Sequence, residues 1–360
     1  MISGSVYVRL LRRRRGGQSE HWSGDTDSVY DERMAHHHTP IRIGFDLGGT
    51  KMLCGAIASD GSVIATKKKK TKELSDPDAL LDRIVRCVDG CLKKAGLERN
   101  DVAEMGVAAP GPIDSKAGVL LETPNLGLRE FPMARLLRDR LGFPVFLEND
   151  VNAGLYGEYR HGGAGGYRNI VGLFPGTGIG GAMIFDGVLY RGATGGAGEL
   201  GHMIVEPGGR ICGCGRRGCL EAVAGRGAMA REATLLVISG KAPTIEAGAG
   251  TDVSRMKSSI FLDAIENGEE AVIELVDRAA WWLGVGMANC VNAFNPDVIV
   301  LGGGLVEKLG ERYVAAAERS MREHAMEFLV RQVKIVTAEL GDDAAVVGAA
   351  ELATEANARA

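Results

Sequence analysis

The chain has 360 residues, of which 45% are hydrophobic and 24% charged, and its formal net charge is −4. This length allows two domains, and the composition is typical of a globular protein. The charge gives no basic field for nucleic acid, and no stretch approaches the ~20 apolar residues that a membrane helix needs. The 52 glycines occur in clusters, which indicates tight turns and close backbone approach to another group.

Seven cysteines are unevenly distributed along the chain. Three of them fall in the short segment Cys212–Cys219, and the other four lie in apolar segments where core packing is predicted: Cys54, Cys87, Cys91 and Cys290. We recognise no secretory signal, so we expect a reducing, cytoplasmic location and no disulfide scaffold.

Residues 1–40 lack apolar periodicity and contain a run of four arginines and a run of three histidines. We predict a disordered N-terminal extension here, because a charge run without an apolar pattern is typical of a solvated tail. Met34 stands just before the first predicted strand and is an alternative start site, which would make residues 1–33 an artefact.

From Ile41 the apolar pattern becomes regular and predicts a first α/β unit. Its elements, in chain order, are strands Ile41–Asp46, Met52–Ala58 and Val63–Lys69, helix Asp78–Ala95, strand Glu104–Ala109, helix Met133–Leu141 and strand Val145–Leu147.

A second unit follows, and it also opens with a strand, a glycine-rich turn and a strand. Its predicted elements are strands Ile170–Phe174 and Ala182–Phe185, helix Glu269–Phe294, strands Val298–Leu301 and Val333–Thr337, and helix Ala344–Ala356. The repeated opening indicates a duplicated architecture with a cleft between two lobes. We expect one lobe at 41–147, joined by the C-terminal helix 341–356, and the other at 148–340.

The first glycine turn, Asp46-Leu47-Gly48-Gly49-Thr50-Lys51, differs from a P-loop in the order of Thr and Lys and in leading into a strand. Its backbone N–H groups and the Thr50 hydroxyl can face phosphate oxygens, and Asp46 can hold a hydrated magnesium ion. The alternative is a plain β-turn with a buried aspartate.

Two further glycine clusters occur in the second unit. Gly176-Thr177-Gly178-Ile179-Gly180-Gly181 contains G-x-G-x-x-G but leads into a strand, so we predict a second phosphate hairpin and no dinucleotide site. Gly302-Gly303-Gly304 follows a buried strand, where it either lets adenine approach the backbone or simply starts a helix.

A metal-binding pattern follows His202, since Cys212-x-Cys214-x4-Cys219 begins ten residues later. Three cysteines and one histidine fill a tetrahedral zinc shell, and a closed shell of this kind is structural. Such a site would hold a glycine-rich loop that lacks a core of its own. The spacing identifies His202 less sharply than the cysteines, and three incidental thiols are the alternative.

Asp150 follows Asn149 at a predicted strand–helix junction. A carboxylate there either accepts the proton of an attacking hydroxyl in a cleft or caps the helix from Val151 to Arg160. Carboxylate and imidazole groups that suit vicinal hydroxyls also flank the metal loop: Glu199, His202 and Glu221. If His202 bonds zinc through one ring nitrogen, the other can face a hydroxyl.

Together, motifs spread over residues 41–355 resemble those of the ROK family of sugar kinases and repressors, within the actin-like and hexokinase-like ATPase superfamily. The motifs are Asp46–Lys51, Glu148-Asn149-Asp150-Val151-Asn152-Ala153, Gly176–Gly181, Glu199-Leu200-Gly201-His202 and Cys212–Glu221. The resemblance implies an α/β, two-lobed actin-like (ribonuclease H-like) fold with an inter-lobe cleft and a zinc-pinned loop.

The resemblance also implies roles for individual residues, beginning with Asp150 as the base that deprotonates a sugar 6-hydroxyl. It implies sugar contacts from Gly111, Asn125, Asn149, Asp150, Glu199, His202 and Glu221. It implies contacts to ATP and Mg²⁺ from Asp46, Gly48, Gly49, Thr50, Lys51, Gly176, Thr177, Gly178, Gly180, Gly181 and Gly303. The implied Zn²⁺ ligands are His202, Cys212, Cys214 and Cys219, and the implied assembly is a homodimer or larger.

Phosphorylation of glucose by ATP is the function we favour, with N-acetylglucosamine, N-acetylmannosamine and fructose as alternative acceptors that these motifs do not separate. A sugar-responsive repressor is the alternative of another class, because the same family contains both. Repressors of the family carry an N-terminal winged helix-turn-helix domain, whereas residues 1–40 show no helical periodicity. The chain also keeps Asp46, the glycine hairpins and Asp150, which ATP chemistry requires.

Overall fold

The structure is a computed structural model that describes residues 40–71, 76–123 and 127–359. Within these ranges the chain forms 13 strands. They are β1 (Ile41–Leu47), β2 (Lys51–Ile57), β3 (Val63–Lys70), β4 (Val102–Ala109), β5 (Ile113–Asp114), β6 (Val119–Thr123), β7 (Leu128–Phe131), β8 (Val145–Asn149), β9 (Ile170–Pro175), β10 (Ile179–Phe185), β11 (Val188–Leu189), β12 (Val298–Leu301) and β13 (Lys334–Thr337).

The same ranges form 11 α-helices. They are α1 (Pro77–Ala95), α2 (Met133–Leu141), α3 (Asp150–His161), α4 (Leu220–Ala224), α5 (Arg226–Ile238), α6 (Pro243–Ala249), α7 (Ser258–Glu266), α8 (Glu270–Phe294), α9 (Gly304–His324), α10 (Glu327–Val330) and α11 (Ala344–Asn357). No helix in the described ranges is both long enough and apolar enough to cross a membrane.

Two five-stranded sheets share one topology, with strand orders β3-β2-β1-β4-β8 and β11-β10-β9-β12-β13. In each sheet the first strand pairs antiparallel with the second and parallel with the fourth, and the outer strands extend these pairings. This repeat confirms the predicted duplicated α/β architecture. A small sheet of β5, β6 and β7 lies beside the first one and was not predicted, because its short polar strands lack apolar alternation.

The first sheet buries its two faces against different helices. Alternate β1 residues such as Ile43 and Phe45 are fully buried in a core shared with α1 and α2. Helix α1 starts where the Asp76 side chain accepts hydrogen bonds from two backbone N–H groups, and it ends at Gly96 in the left-handed conformation.

Helix α11 lies directly on the backbone of the opposite face. A Cβ atom added at Gly44 would lie 1.9 Å from the carbonyl oxygen of Val346, and one at Gly106 would lie 1.9 Å from that of Ala349. Only glycine permits such an approach. Helix α11, near the C-terminus, therefore covers one face of the sheet that contains β1.

Helices α3 and α11 cross at two further glycines. A Cβ atom added at Gly348 would lie 1.8 Å from the carbonyl oxygen of Ala153, and one at Gly157 would lie 2.3 Å from that of Ala344. Because α3 also packs against β10, this crossing connects the first sheet to the second.

Helix α8 confirms the predicted long helix and forms the centre of the second core with α9 and the second sheet. All seven cysteines are free, and the four predicted to pack in the core are buried. Strand β10 begins at Ile179, three residues earlier than expected, so Gly180 and Gly181 belong to a strand rather than to a turn.

Candidate active site

The parallel pairing of β1, β4 and β8 places Asp46 and Asp150 at the same edge of the first sheet. Both carboxylates line a cavity of about 730 Å³, within the ~300–1,000 Å³ typical of small-ligand sites. The cavity continues past Gly302 and Gly303 to Asp342 at the start of the last helical segment. It therefore joins Asp46 at the start of the first glycine turn, the predicted base and the third glycine cluster.

Burial of two neighbouring acids disfavours their charged forms. The pKa of Asp46 is raised to about 6, chiefly by burial and then by the nearby Asp150, while Lys51 opposes the shift. Burial also raises the pKa of Asp150, although the backbone N–H of Val151 acts against this, and the charge of Glu199 adds to the rise. Two neighbouring carboxylates of this kind favour a bound cation.

Asn149, rather than Asp150, occupies the capping position of α3. Its Oδ1 accepts hydrogen bonds from the backbone N–H groups of Val151 and Asn152, at 2.9 and 3.1 Å. Oδ1 of Asp150 accepts from the N–H of Val151, the backbone N–H of Asp150 itself also stabilises the carboxylate, and no other residue within the described ranges donates to its Oδ2. The capping function belongs to the neighbour, which leaves one oxygen of Asp150 open to the cavity.

Glu148 is a buried residue whose role the sequence did not reveal. Its Oε1 accepts from the backbone N–H of Asn149 and from the side-chain amide of Asn152, both at 3.0 Å. Its Oε2 accepts from Arg191, at 2.7 Å, which follows β11 of the second sheet. Glu148 thus fixes the start of α3 and connects it to the second sheet. Its place in the Glu148–Ala153 motif was the only sequence signal.

The first glycine hairpin is fixed by hydrogen bonds from Thr71, a buried residue just after β3. Its hydroxyl donates to the carbonyl of Gly48 at 2.7 Å, and its N–H donates to the carbonyl of Thr50 at 2.9 Å. Gly49 and Thr50 are exposed at the tip, and the Lys51 ammonium lies 3.1 Å from Oδ2 of Asp342. The tip is thus free to receive a ligand.

The second hairpin is tied to two neighbouring segments. The backbone N–H of Ile179 donates to Oε2 of Glu221 at 3.1 Å, and the Arg226 guanidinium donates to the Thr177 hydroxyl. Gly178 lies directly beneath Glu221, and an added Cβ would lie 2.1 Å from its Oε2, so the carboxylate would have to move. The predicted phosphate hairpin therefore depends on the loop that carries the metal-binding pattern.

Gly180 and Gly181 have packing roles in β10. A Cβ atom at Gly180 would lie 2.8 Å from a methyl carbon of Val151, and one at Gly181 would lie 2.4 Å from the carbonyl oxygen of Gly198. Gly303, by contrast, lines the cavity and is also the residue before α9, with φ of 84°. The structure confirms the helix-start interpretation of the third cluster at Gly303, and its contact with adenine stays a prediction.

His202, Cys212, Cys214 and Cys219 place their ligand atoms within 4.8 Å of one another. Sγ of Cys214 lies 3.7 Å from Sγ of Cys219, and Sγ of Cys212 lies 3.6 Å from Nδ1 of His202. Tetrahedral zinc, with bonds of about 2.3 Å to sulfur and about 2.0–2.1 Å to nitrogen, would set these separations at about 3.8 and 3.6 Å. The donor set and its spacing fit zinc.

The residues predicted to contact sugar differ in whether their polar atoms already have hydrogen-bond partners in the protein. Nε2 of His202 points away from the cysteines and lies 3.8 Å from the exposed carboxylate of Glu199. Both Glu221 oxygens accept from protein groups, from the N–H of Ile179 and from the Cys212 thiol at 3.4 Å. The carbonyl of Gly111 accepts from the Asn149 amide at 3.4 Å. Asn125 lies outside the described residues.

Comparison with known proteins identifies the family of this chain. Residues 42–356 match the model of the ROK family. The chain belongs to the ROK family. It is 33% identical over 319 residues to a glucokinase of Streptomyces coelicolor, covering 88% of this chain and 98% of the relative.

Two other relatives show how the ROK family varies around this chain. It is 32% identical over 314 residues to an N-acetylmannosamine kinase of Citrobacter koseri, covering 86% of this chain and 98% of that kinase. A solved ROK family glucokinase from Streptomyces griseus, in complex with glucose and AMPPNP, superposes with a TM-score of 0.75 at 32% identity and covers 88% and 99% of the two chains. The fold of the ROK chain described here is therefore the mixed α/β fold of actin-like ATPases.

Proposed function

We propose that this ROK family protein is an ATP-dependent glucokinase that converts glucose to glucose 6-phosphate. The observation that carries the proposal is Asp150, a half-buried carboxylate with one open oxygen, set beside Asp46 in a cavity that also reaches Gly303. The sequence identity to glucokinases supports glucose as the acceptor.

Asp150 acts as the general base in this proposal. As the sugar 6-hydroxyl oxygen attacks the γ-phosphorus of ATP, its proton passes to Oδ2 of Asp150, and the bond from the γ-phosphorus to the bridging oxygen breaks to release ADP. Burial favours this proton transfer, because it raises the pKa of Asp150 above its ordinary value. The bound and oriented hydroxyl supplies most of the remaining rate gain.

ATP is held by backbone in this proposal. The N–H groups at Gly48, Gly49 and Thr50 and at Thr177 and Gly178 would face the phosphates, and the N–H of Gly176 closes the second hairpin by donating to the carbonyl of Gly178 at 2.8 Å. Lys51 would add a charge, and Gly303 would lie beside the adenosine. Magnesium, when bound, would offset phosphate charge, and Asp46 fits it because its own burial beside Asp150 already disfavours an unpaired negative charge.

A structural zinc held by His202, Cys212, Cys214 and Cys219 is also proposed, since their spacing fits a closed tetrahedral shell. The zinc would fix the loop that carries Glu221, and Glu221 accepts a hydrogen bond from the backbone N–H of Ile179 in the second hairpin. Nε2 of His202, which faces Glu199, remains available for a sugar hydroxyl.

We further propose that the sugar lies between lobes 41–147, with helix 341–356, and 148–340. Its hydroxyls would meet Gly111, Asn125, Asn149, Asp150, Glu199, His202 and Glu221. Closure of the lobes excludes water, which competes with sugar as acceptor. A homodimer or larger assembly and a cytoplasmic location stay predictions.

Purified protein with ATP and a panel of hexoses tests the proposal, with ADP release and product analysis as readouts. The kcat/KM for glucose should exceed that for galactose about tenfold or more, because a misplaced hydroxyl leaves a buried partner unpaired at ~1–3 kcal/mol. A preference for N-acetylglucosamine, N-acetylmannosamine or fructose would overturn glucose but keep the kinase. DNA binding that responds to sugar, with no phosphorylation, would establish a repressor instead.

A further inference from the structure

Three lysines share one face of the first sheet beside the first glycine hairpin. In the antiparallel pairing of β2 with β3, Lys51 lies opposite Lys70 and Leu53 lies opposite Lys68. Since opposite residues share a face and alternate residues share a face, Lys51, Lys68 and Lys70 all lie on that of Leu53. This is the face covered by α11, because Leu53 packs in a cluster with Val346 and Val347.

The lysine that precedes Lys68 points to the other face. The Lys67 side chain packs against Gly90 of α1, where an added Cβ would lie 3.5 Å from its Cε atom. The lysine run in β3 is therefore divided between two environments, and only one of them adjoins the cavity.

A single carboxylate forms ion pairs with two of the three ammonium groups. Oδ2 of Asp342 lies 3.1 Å from Nζ of Lys51 and 3.0 Å from Nζ of Lys68, and Asp342 itself lines the cavity. These hydrogen bonds, led by that of Lys68, hold the pKa of Asp342 below its ordinary value. The ammonium of Lys68 thus stands at the mouth of the cavity.

Three lysine charges lie close together here. Like charges opposite each other destabilise an antiparallel pair, and Lys51 lies opposite Lys70 with Lys68 on the diagonal. Asp342 pairs with Lys51 and Lys68, and Asp343 adds a weaker attraction on Lys68, so the acids offset part of this repulsion. The ion pairs are also about half exposed, at 55–58% for the three side chains, so they exchange readily for a stronger partner.

We propose that Lys68 is a second lysine, with Lys51, that binds the phosphate chain of the phosphoryl donor. Asp342 holds both ammonium groups when no donor is bound and releases them to the phosphates. The inference rests on the proposed function, because it assigns a further contact to the same donor site.

Lys68→Ala tests this against Lys67→Ala, a neighbour that removes the same charge on the opposite face. Binding of ATP, tripolyphosphate and adenosine is measured by calorimetry on the full chain, together with steady-state kinetics. In Lys68→Ala, the Kd for ATP and for tripolyphosphate should rise about threefold to tenfold, as expected for an exposed charge-assisted contact. The Kd for adenosine should not change, and Lys67→Ala should match the wild type for all three.

Two results would overturn the proposal: equal ATP binding by Lys68→Ala and the wild type, or equal losses for ATP and adenosine, which would indicate a change in pocket shape. Asp342→Asn supplies a test of opposite sign. Freed lysines should bind tripolyphosphate at least as tightly as in the wild type, and weaker binding would contradict the role of Asp342 as a displaceable partner. A wild-type chain that binds no nucleotide would instead refute the proposed function itself.

Discussion

At the scale of single residues, the junction Asn149-Asp150 divides two tasks between adjacent side chains. Asn149 satisfies the first N–H groups of α3, so Asp150 is not needed for the helix to start. The consequence is that chemistry and stability can be separated by mutation at this position.

Asp150→Asn should lower kcat about 10²–10⁴-fold, because it removes the proton acceptor but keeps the size of the side chain. The free energy of unfolding should not fall, since the cap at Asn149 remains. Steady-state kinetics with ATP and glucose, combined with denaturant unfolding, measure both quantities. A variant that unfolds easily but keeps full activity in its folded fraction would show that Asp150 is only structural.

The same residue predicts the acid limb of the pH profile. Burial raises the pKa of Asp150 above the ordinary 3.8, so its carboxyl stays protonated to a higher pH than a solvent-exposed aspartate. A base must be deprotonated to act, and kcat/KM should therefore fall as the pH is lowered through that raised value. An acid limb that persists in Asp150→Asn would assign the titration to another group.

The residues alone left base and cap open for Asp150, and the family resemblance favoured the base. The structure gives the cap of α3 to Asn149, whose partners are visible only once α3 is built, and the role of Asp150 as base stays a prediction. Arg191 and Thr71 had no sequence signal at all. Each acts through backbone or side-chain groups that lie far away in the chain, and local patterns do not encode such pairs.

At the scale of elements, the cysteine loop acts on the second glycine hairpin. Glu221 follows Cys219 by two residues and accepts hydrogen bonds from the Cys212 thiol and from the backbone N–H of Ile179. Strand bridges between Ile204 and Cys219 and between Ile211 and Arg217 complete the loop. Since this segment has only a small buried cluster of its own, a metal would supply much of its order.

Cys214→Ser should abolish zinc binding and raise the KM for glucose, because the loop orients His202 and Glu221. Elemental analysis of the wild type should find about one zinc per chain, as one closed four-ligand shell requires. Cys290→Ser is the control, since that buried cysteine lies in α8 and should leave the zinc content unchanged. Full activity in a zinc-free Cys214→Ser protein would refute both the ligand set and its coupling to the sugar.

Sequence patterns predicted the long elements better than the glycine-rich ones. Helix α8 was anticipated to within one residue because its apolar face spans 25 residues. Gly180 and Gly181 were assigned to a turn, but close neighbours at Val151 and Gly198 give them a place in β10. The sequence alone does not show whether a glycine is required by packing or by a turn, because only tertiary contacts distinguish the two.

At the scale of the whole molecule, the two sheets are joined where α3 crosses α11 at Gly157 and Gly348. Gly348→Ala should reduce the free energy of unfolding by about 2 kcal/mol or more, since its Cβ would meet the carbonyl of Ala153 in a packed helix pair. Denaturant unfolding measures the change.

Gly90→Ala provides the matched substitution, in the interior of α1. Its Cβ would have an ordinary contact of 3.5 Å with the Lys67 side chain, so helix propensity should stabilise this variant by about 0.5–1 kcal/mol. Opposite signs for the two substitutions would establish close helix packing as the cause. Equal effects would show that the crossing tolerates a methyl group.

The position of α11 also bears on how the protein is made. Strands β1 and β4 leave the ribosome more than 230 residues before this helix, although their glycines Gly44 and Gly106 pack directly against it. These glycines of the first sheet therefore lack their native helix partner until translation reaches residues 344–357. The same helix lines the cavity through Ala344 and Ala345, so a nascent chain cannot complete this cavity before nearly all of its residues have been synthesised.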